Sequence, residues 1–346
     1  MRMIRLVKGS RLFAVALLMV VLALSSTQSV YAWYPAVRMT VNAGVSAYPS
    51  VACSASGQYV YLVWQDSTTG NYEIYFKRST DYGANWFATV ITVTAGVSGY
   101  PKVACSASGR YVYLVWQDST TGNYEIYFKR STDYGARWSA AIRMTVNAGA
   151  SMYPSVACSS TGAYVYLAWC DSTPGNYEIY LRRSSNFGAG WLPLQKTTNA
   201  GASMYPSVAC SSTGQYVYLV WQDTTYGNIE IFFNRSNNFG ANFVFVKITA
   251  NAGASMYPSV ACRASGQYVY LVWQDTTPGN SEIYFRRSIN YGVSWAAAVR
   301  MTVTSGVSAY PRVACSSTGV RVDLVWQDNT PGNYEIYFKR SNNYGL

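Results

Sequence analysis

One unit is written six times along this chain, tracked by Tyr-Pro pairs that begin at Tyr48, Tyr100, Tyr153, Tyr205, Tyr257 and Tyr310. The spacings are 52, 53, 52, 52 and 53 residues, the signature of an array in which each copy buries its faces against its neighbours. Residues 48–86 and 100–138 differ at only three of 39 positions, Ser50/Lys102, Gln58/Arg110 and Asn85/Arg137. The units are therefore expected to share one job, which argues against a unique catalytic centre.

The first unit reads as four strands. Ser50 to Ser54 is short, and Ala55-Ser56-Gly57 turns the chain into Tyr59 to Trp64, which has β-branched and aromatic residues on both faces. Thr68-Thr69-Gly70-Asn71 makes the next turn, with Pro-Gly at the matching place in three other units. Glu73 to Arg78 is the third strand, and Trp86 opens the fourth, Thr89 to Val93. No segment has a convincing helical period. A four-stranded meander that is apolar on both faces must be sandwiched between copies of itself, and radial stacking does this for every unit. The expected fold is an all-β, six-bladed β-propeller of four-stranded antiparallel blades.

The two ends of the repeat region suggest how the last blade is finished. Residues 33–41 match 138–146, where a fourth strand begins, whereas the sixth unit stops at Leu346, just before its own Trp would occur. The N-terminal strand is expected to complete the last blade and close the ring. Residues 1–32 read as a secretory signal: Arg2, Arg5, Lys8 and Arg11, an apolar run from Leu12 to Leu24, and a small-residue end at Ala32. The run has 13 residues, against the roughly 20 that a membrane span needs. The domain plan is a signal over 1–32 and a propeller over 33–346, with no membrane span in the mature chain. A secreted, periplasmic or cell-envelope location follows.

The chain has no His, which removes the usual neutral-pH acid/base and the commonest metal ligand. Its basic excess is not gathered in runs, so nucleic acid is not an expected partner. Six of the seven Cys share one register, Cys53, Cys105, Cys158, Cys210, Cys262 and Cys315, and Cys170 replaces a Gln. Equivalent positions on neighbouring blades stand too far apart to bridge, so all seven are read as buried, unpaired thiols. A ring of thiolates around a soft metal is the sharper alternative.

The turn Ser79-Thr80-Asp81-Tyr82-Gly83-Ala84-Asn85-Trp86 resembles the Asp-box, Ser-x-Asp-x-Gly-x-x-Trp, of the sialidase-like propellers. It recurs at 131–138 and, with Asn for Asp, at 184–191, 236–243 and 288–295, with a truncated sixth copy at the end. The resemblance implies architecture more than glycan cleavage, because in that family the box is a structural turn on the side opposite the active site. It also implies what a sialidase would require: three Arg on a carboxylate, a Tyr paired with a Glu, and an Asp acid/base. Here every acidic residue except Asp323 belongs to the repeat, and Asp323 is expected to pair with Arg321. The repeated Arg residues lie near the boxes. No catalytic residue is assigned.

The candidate ligand-binding residues lie in the loops between second and third strands and at the Tyr-Pro corners. They are Tyr48, Asp66 and Asn71; Tyr100, Asp118 and Asn123; Tyr153, Asp171 and Asn176; Tyr205, Asp223 and Asn228; Tyr257, Asp275 and Asn280; Tyr310, Asp328 and Asn333. Acids and amides beside aromatic rings suit sugars, whose hydroxyls need directional partners and whose C–H faces stack on rings. The competing reading is structural: Asp and Asn cap the turn, and Tyr packs under the loop. No cofactor or metal is expected, calcium being the one ion those oxygen atoms would suit, at a spacing unlike an EF-hand loop. The sequence points to a non-enzymatic, repetitive binding module for an extracellular glycan or cell-surface component. A sialidase-like glycoside hydrolase and a structural envelope protein are the alternatives.

Overall fold

A computed structural model describes residues 36–346. Residues 43–346 hold six antiparallel sheets in chain order, and there is no helix among the described residues. The architecture is the six-bladed propeller that the repeat predicts. In blade 2 the strands run Ser98–Cys105, Val112–Asp118, Glu125–Ser131 and Ile142–Arg143 from the axis outward, paired in that order. Blades 1 and 3–5 repeat this plan, with first strands Ser46–Cys53, Ser151–Cys158, Ser203–Cys210 and Ser255–Cys262.

The apolar character of both faces has a direct cause, since each second strand serves two cores. In blade 2, Leu114 and Trp116 pack with Tyr61, Val63 and Phe76 of blade 1, while Tyr113 and Val115 pack with Val165, Leu167 and Trp169 of blade 3. Five such cores join the six blades in sequence. A fully buried side chain such as Phe128 contributes about 2–3 kcal/mol by leaving water.

Polar ties repeat at the same junctions. The buried phenol of Tyr61 donates to Gly109 O at 2.6 Å, as do Tyr113 to Gly162, Tyr166 to Gly214, Tyr218 to Gly266 and Tyr270 to Gly319. In the box turn, Ser79 Oγ accepts from Gly83 N at 2.8 Å, and Asp81 accepts from Ser79 Oγ and Asn85 N. Trp138 of blade 2 then meets Phe76 of blade 1 edge-on at 5.0 Å.

The outer strand is short, covering Phe87–Val90 in blade 1 and only two residues in blades 2 and 5. It ends before the expected Val93 because the Thr92 hydroxyl takes the Ile74 N–H at 2.7 Å and Ile91 turns into the core. Among the described residues blade 6 has three strands, Ser308–Cys315, Val322–Asp328 and Glu335–Ser341. Of the segment expected to supply its fourth, residues 33–35 lie outside the described residues and 36–41 carry no strand. The expected signal at 1–32 likewise lies outside them. No helix among the described residues is long and apolar enough to cross a membrane.

The junction that would join blade 6 back to blade 1 differs from the other five. Val51 is 66% exposed, whereas Val103, Val208, Val260 and Val313 at the same register are buried. The repeated buried Tyr is replaced in blade 6 by Asp323, and Val325 and Ile336 are exposed. Among the described residues no apolar core spans this junction.

Candidate functional site

All eighteen candidate residues fall at one end of the propeller, but their side chains go to different uses. Asp171 is 1% exposed and accepts from Asn147 Nδ2 at 2.6 Å, Ser151 Oγ at 2.6 Å and Thr173 N at 2.8 Å. Asp66, Asp118, Asp223, Asp275 and Asp328 repeat the serine and turn-amide contacts. Burial alone pushes Asp275 up, but donation from Thr277, Ser255 and Asn251 outweighs it and holds the carboxyl below its ordinary value.

The amides are committed as well. Asn228 Nδ2 donates to Asn251 O and Gly253 O, both at 2.8 Å, on the loop that enters the next blade. Asn71, Asn123, Asn176 and Asn280 do the same, and Asn333 donates to Glu335 at 2.7 Å. The glycine in each acceptor loop is required by close approach, since a Cβ on Gly201 would stand 2.2 Å from Thr225 N.

The tyrosines behave differently. Tyr48, Tyr100, Tyr153, Tyr205, Tyr257 and Tyr310 follow one another around the axis, with ring centroids 4.3, 5.1, 4.3, 4.7 and 4.5 Å apart. Each has a φ between 51° and 55°, in the left-handed region that bulky residues avoid. A register shift in the first strand of every blade creates this corner. In four blades the Tyr N–H is held by a glutamine of the preceding blade, as by Gln65 Oε1 on Tyr100 N at 3.0 Å. Cys170 stands where blade 3 would supply that glutamine. Tyr48 and Tyr310 are about half exposed. Three of the phenols sit above their ordinary pKa: desolvation raises Tyr100 and Tyr205, and the hydrogen bond with Tyr257, followed by desolvation, raises Tyr310 to about 12.

Beneath the tyrosines, the register occupied by Ser50, Ser155, Ser207 and Ser259 carries Lys102 in blade 2 and Arg312 in blade 6. Desolvation within the axial channel, with the nearby Arg312 charge second, lowers Lys102 to about 7. Deeper still, Ala and Cys of blades 3–6 line a cavity on the axis. All seven cysteines are free thiols. The expectation that all are buried needs correction: Cys170 is buried, five of the register cysteines are partly exposed along the axis, and Cys53 is exposed. The first strand is the innermost, so alternate residues face the channel and not a core. Burial pushes Cys158 and Cys315 up to about 12, so both remain protonated at neutral pH. Among the described residues, no group of three or more Cys, Asp or Glu is placed to hold a metal ion.

The carboxylates outside the candidate set also have partners. Glu125 and Glu282 pair with Arg143 and Arg300 at 2.7 and 2.8 Å. Asp323 pairs with Arg340 at 2.6 Å, not with Arg321 as expected, because Arg340 lies directly opposite on the third strand. The box-side arginines brace the neighbouring blade, as in Arg130 Nη1 to Phe187 O at 2.8 Å. One group missing from the sequence reading, Tyr226, Phe232, Asn234 and Phe245, gathers around a cavity beside blade 4. Its signal in the sequence is departure from the repeat.

No family model and no curated protein matches the chain. Solved structures do match in fold. A Hadza microbial sialidase is 14% identical with a TM-score of 0.56, the alignment covering 86% of this chain and 65% of that one. An α-L-arabinofuranosidase of Fusarium graminearum, solved with arabinobiose, is 13% identical with a TM-score of 0.58, covering 85% and 92%. The intramolecular trans-sialidase from Ruminococcus gnavus, solved with oseltamivir carboxylate, is 10% identical with a TM-score of 0.58, covering 86% and 94%. The chain thus shares the six-bladed fold of these enzymes and spans just under two thirds of the Hadza sialidase.

Proposed function

We propose that this protein is an exported, non-enzymatic binding propeller for carbohydrate, which it meets at the axial end ringed by the six tyrosines. The observation that carries this reading is the ring itself. Six aromatic rings follow one another around the axis at centroid separations of 4.3 to 5.1 Å, and none of them is buried, so the rings are presented at the surface and not spent on a core. Partly exposed phenols offer C–H stacking faces and hydroxyls, the two features that a glycan recognises. Near-equivalence of the blades gives the mechanism, since weak equivalent contacts add as avidity on a multivalent surface.

The non-enzymatic part rests on the carboxylates and phenols. Glycoside hydrolysis ordinarily needs two carboxylates flanking the scissile bond, or a tyrosine activated beside one. The six loop aspartates each accept from internal serine and turn-amide donors, and the phenols of Tyr100 and Tyr205 are raised rather than activated. The competing reading, a sialidase-like hydrolase, draws on the enzymes that share the fold. A glycan array combined with a fluorogenic glycoside panel separates the two: retention without release supports the binding module, and turnover of any substrate favours the enzyme.

A further inference from the structure

Blade 4 breaks the repeat in one place and in a concerted way. At the third-strand position where the other blades carry Lys77, Lys129, Arg182, Arg286 and Lys339, it has Asn234. At the cross-strand position opposite, occupied by Ala88 in blade 1 and Pro193 in blade 3, it has Phe245. Phe232 replaces the Tyr seen in the other five units, and Tyr226 replaces the Thr or Pro of the turn.

These exchanges open a cleft between blades. In blade 2, Lys129 Nζ reaches across to Ile91 O of the preceding blade at 2.9 Å, and in blade 5, Arg286 Nη1 reaches Ile248 O at 2.7 Å. The long basic chain therefore plugs the cleft at those junctions. Asn234 is too short to do so, and a cavity of about 260 Å³ remains beside it, just under the range of drug-sized sites. Its walls are aromatic: Phe232 lies 5.3 Å from Phe245, 5.9 Å from Tyr226 and 6.0 Å from Trp221, all at shallow interplanar angles. Phe245 and Tyr226 are more than half exposed, and Lys247 Nζ sits 4.5 Å over the Tyr226 ring.

The polar lining includes three side-chain atoms without a partner. Asn234 is 4% exposed, and its Oδ1 has no hydrogen-bond partner in the protein. Thr225 Oγ1 is unpaired as well, and so is Asn199 Oδ1, an oxygen that Asn147 and Asn251 also leave unpaired at the same position in other blades. Buried polar atoms without partners are uncommon, and three line this one cavity. Acceptors beside the Asp223 carboxylate repel an anion and suit a ligand that brings O–H donors around an apolar face.

We propose that the cleft between blades 3 and 4, walled by Trp221, Tyr226, Phe232 and Phe245 and floored by Asn234, is a binding site for a single neutral sugar ring. The site is separate from the axial tyrosines, and the exchanges that form it, Tyr226, Phe232, Asn234 and Phe245, come together in the fourth unit of the repeat. It supplies one specific contact to a surface otherwise read by repetition.

The test uses the full chain, titrated by calorimetry and by tryptophan fluorescence with a panel of neutral methyl pyranosides and their trisaccharides. Three variants are compared: Asn234→Lys, which restores the plug found in other blades; Phe245→Ala, which restores the residue of blade 1 at a half-exposed position; and Tyr153→Ala at the axis. The expected result is saturable binding of at least one panel sugar, weakened tenfold or more by Asn234→Lys and by Phe245→Ala, and unchanged by Tyr153→Ala. Wild-type affinity in both cleft variants overturns the proposal, even if Tyr153→Ala then weakens binding and so supports the axial reading. Failure of every panel sugar to bind wild type also overturns it, while array binding that depends on the axial tyrosines would leave the broader function standing.

Discussion

Asp171 and Tyr153 lie in one blade, at one end of the propeller, and each recurs six times, yet the structure treats them in opposite ways. The carboxylate is 1% exposed and takes three donors, tying a turn to the strand beside it. The phenol ring stands at the axis between two like rings, on a backbone with a φ of 55°. An acid and an aromatic side by side in a loop carry the composition of a sugar site, but saturation decides which of them a ligand can use. A carboxylate whose lone pairs are filled from within holds the loop, whereas an aromatic face has nothing comparable to fill.

The largest effect should come from the acid. Replacing Asp171 by Ala strands three donors and should cost about 3 kcal/mol in urea unfolding at neutral pH. The linkage adds a second readout. Asp275 and Asp328 are held below their ordinary value, so their stabilisation is present above pH 3.8 and is lost as pH falls through the depressed value. An Asp171→Ala protein as stable as wild type, yet impaired in glycan retention, would reverse the comparison.

A smaller loss belongs to the inter-blade phenols. Tyr166→Phe removes the donor to Gly214 O at 2.7 Å in a fully buried setting and should cost about 1–2 kcal/mol, leaving binding intact. The contrast with Tyr153→Ala, which should change stability less and binding more, separates tyrosines that build the propeller from those that present it.

The smallest effect is a slope. Lys102, lowered to about 7, costs stability while charged, so its penalty is present below pH 7 and relieved as pH rises toward the ordinary 10.5. Stability should therefore climb between pH 7 and 8.5, and Lys102→Met should flatten the climb. Above that window groups such as the Cys105 and Cys158 thiols and the Tyr113 phenol, pushed up by desolvation, lose stability as the unfolded chain ionises and mask the effect.

The fold was legible because a two-faced apolar strand repeated at fixed spacing has few ways to bury itself, and the residues that meet across blades, such as Tyr113 with Val165, recur in register. The turn between third and fourth strands was legible for a similar reason, since Ser79, Asp81 and Gly83 satisfy one another locally. The use of Asp171 was not legible, because its donors Asn147 and Ser151 come from more than a strand away. The exposure of the register cysteines was not legible, because an apolar Val-Ala-Cys strand looks like core until the innermost strand is seen to face the axis on one side. The cleft at Asn234 was not legible because it depends on a side chain too short to cross to the neighbouring blade, a distance that the repeat does not encode.

The central claim is best tested by retention of the full chain on a multivalent glycan array, comparing wild type with the paired variant Tyr153→Ala/Tyr205→Ala and assaying the eluate for released sugar. Ala keeps the backbone at a similar disadvantage, so the exchange isolates the rings. The account predicts that the pair reduces retention at least tenfold, that either single change has a modest effect, and that no sugar is released. Retention unchanged in the pair, or release of sugar by the wild-type protein, would contradict it.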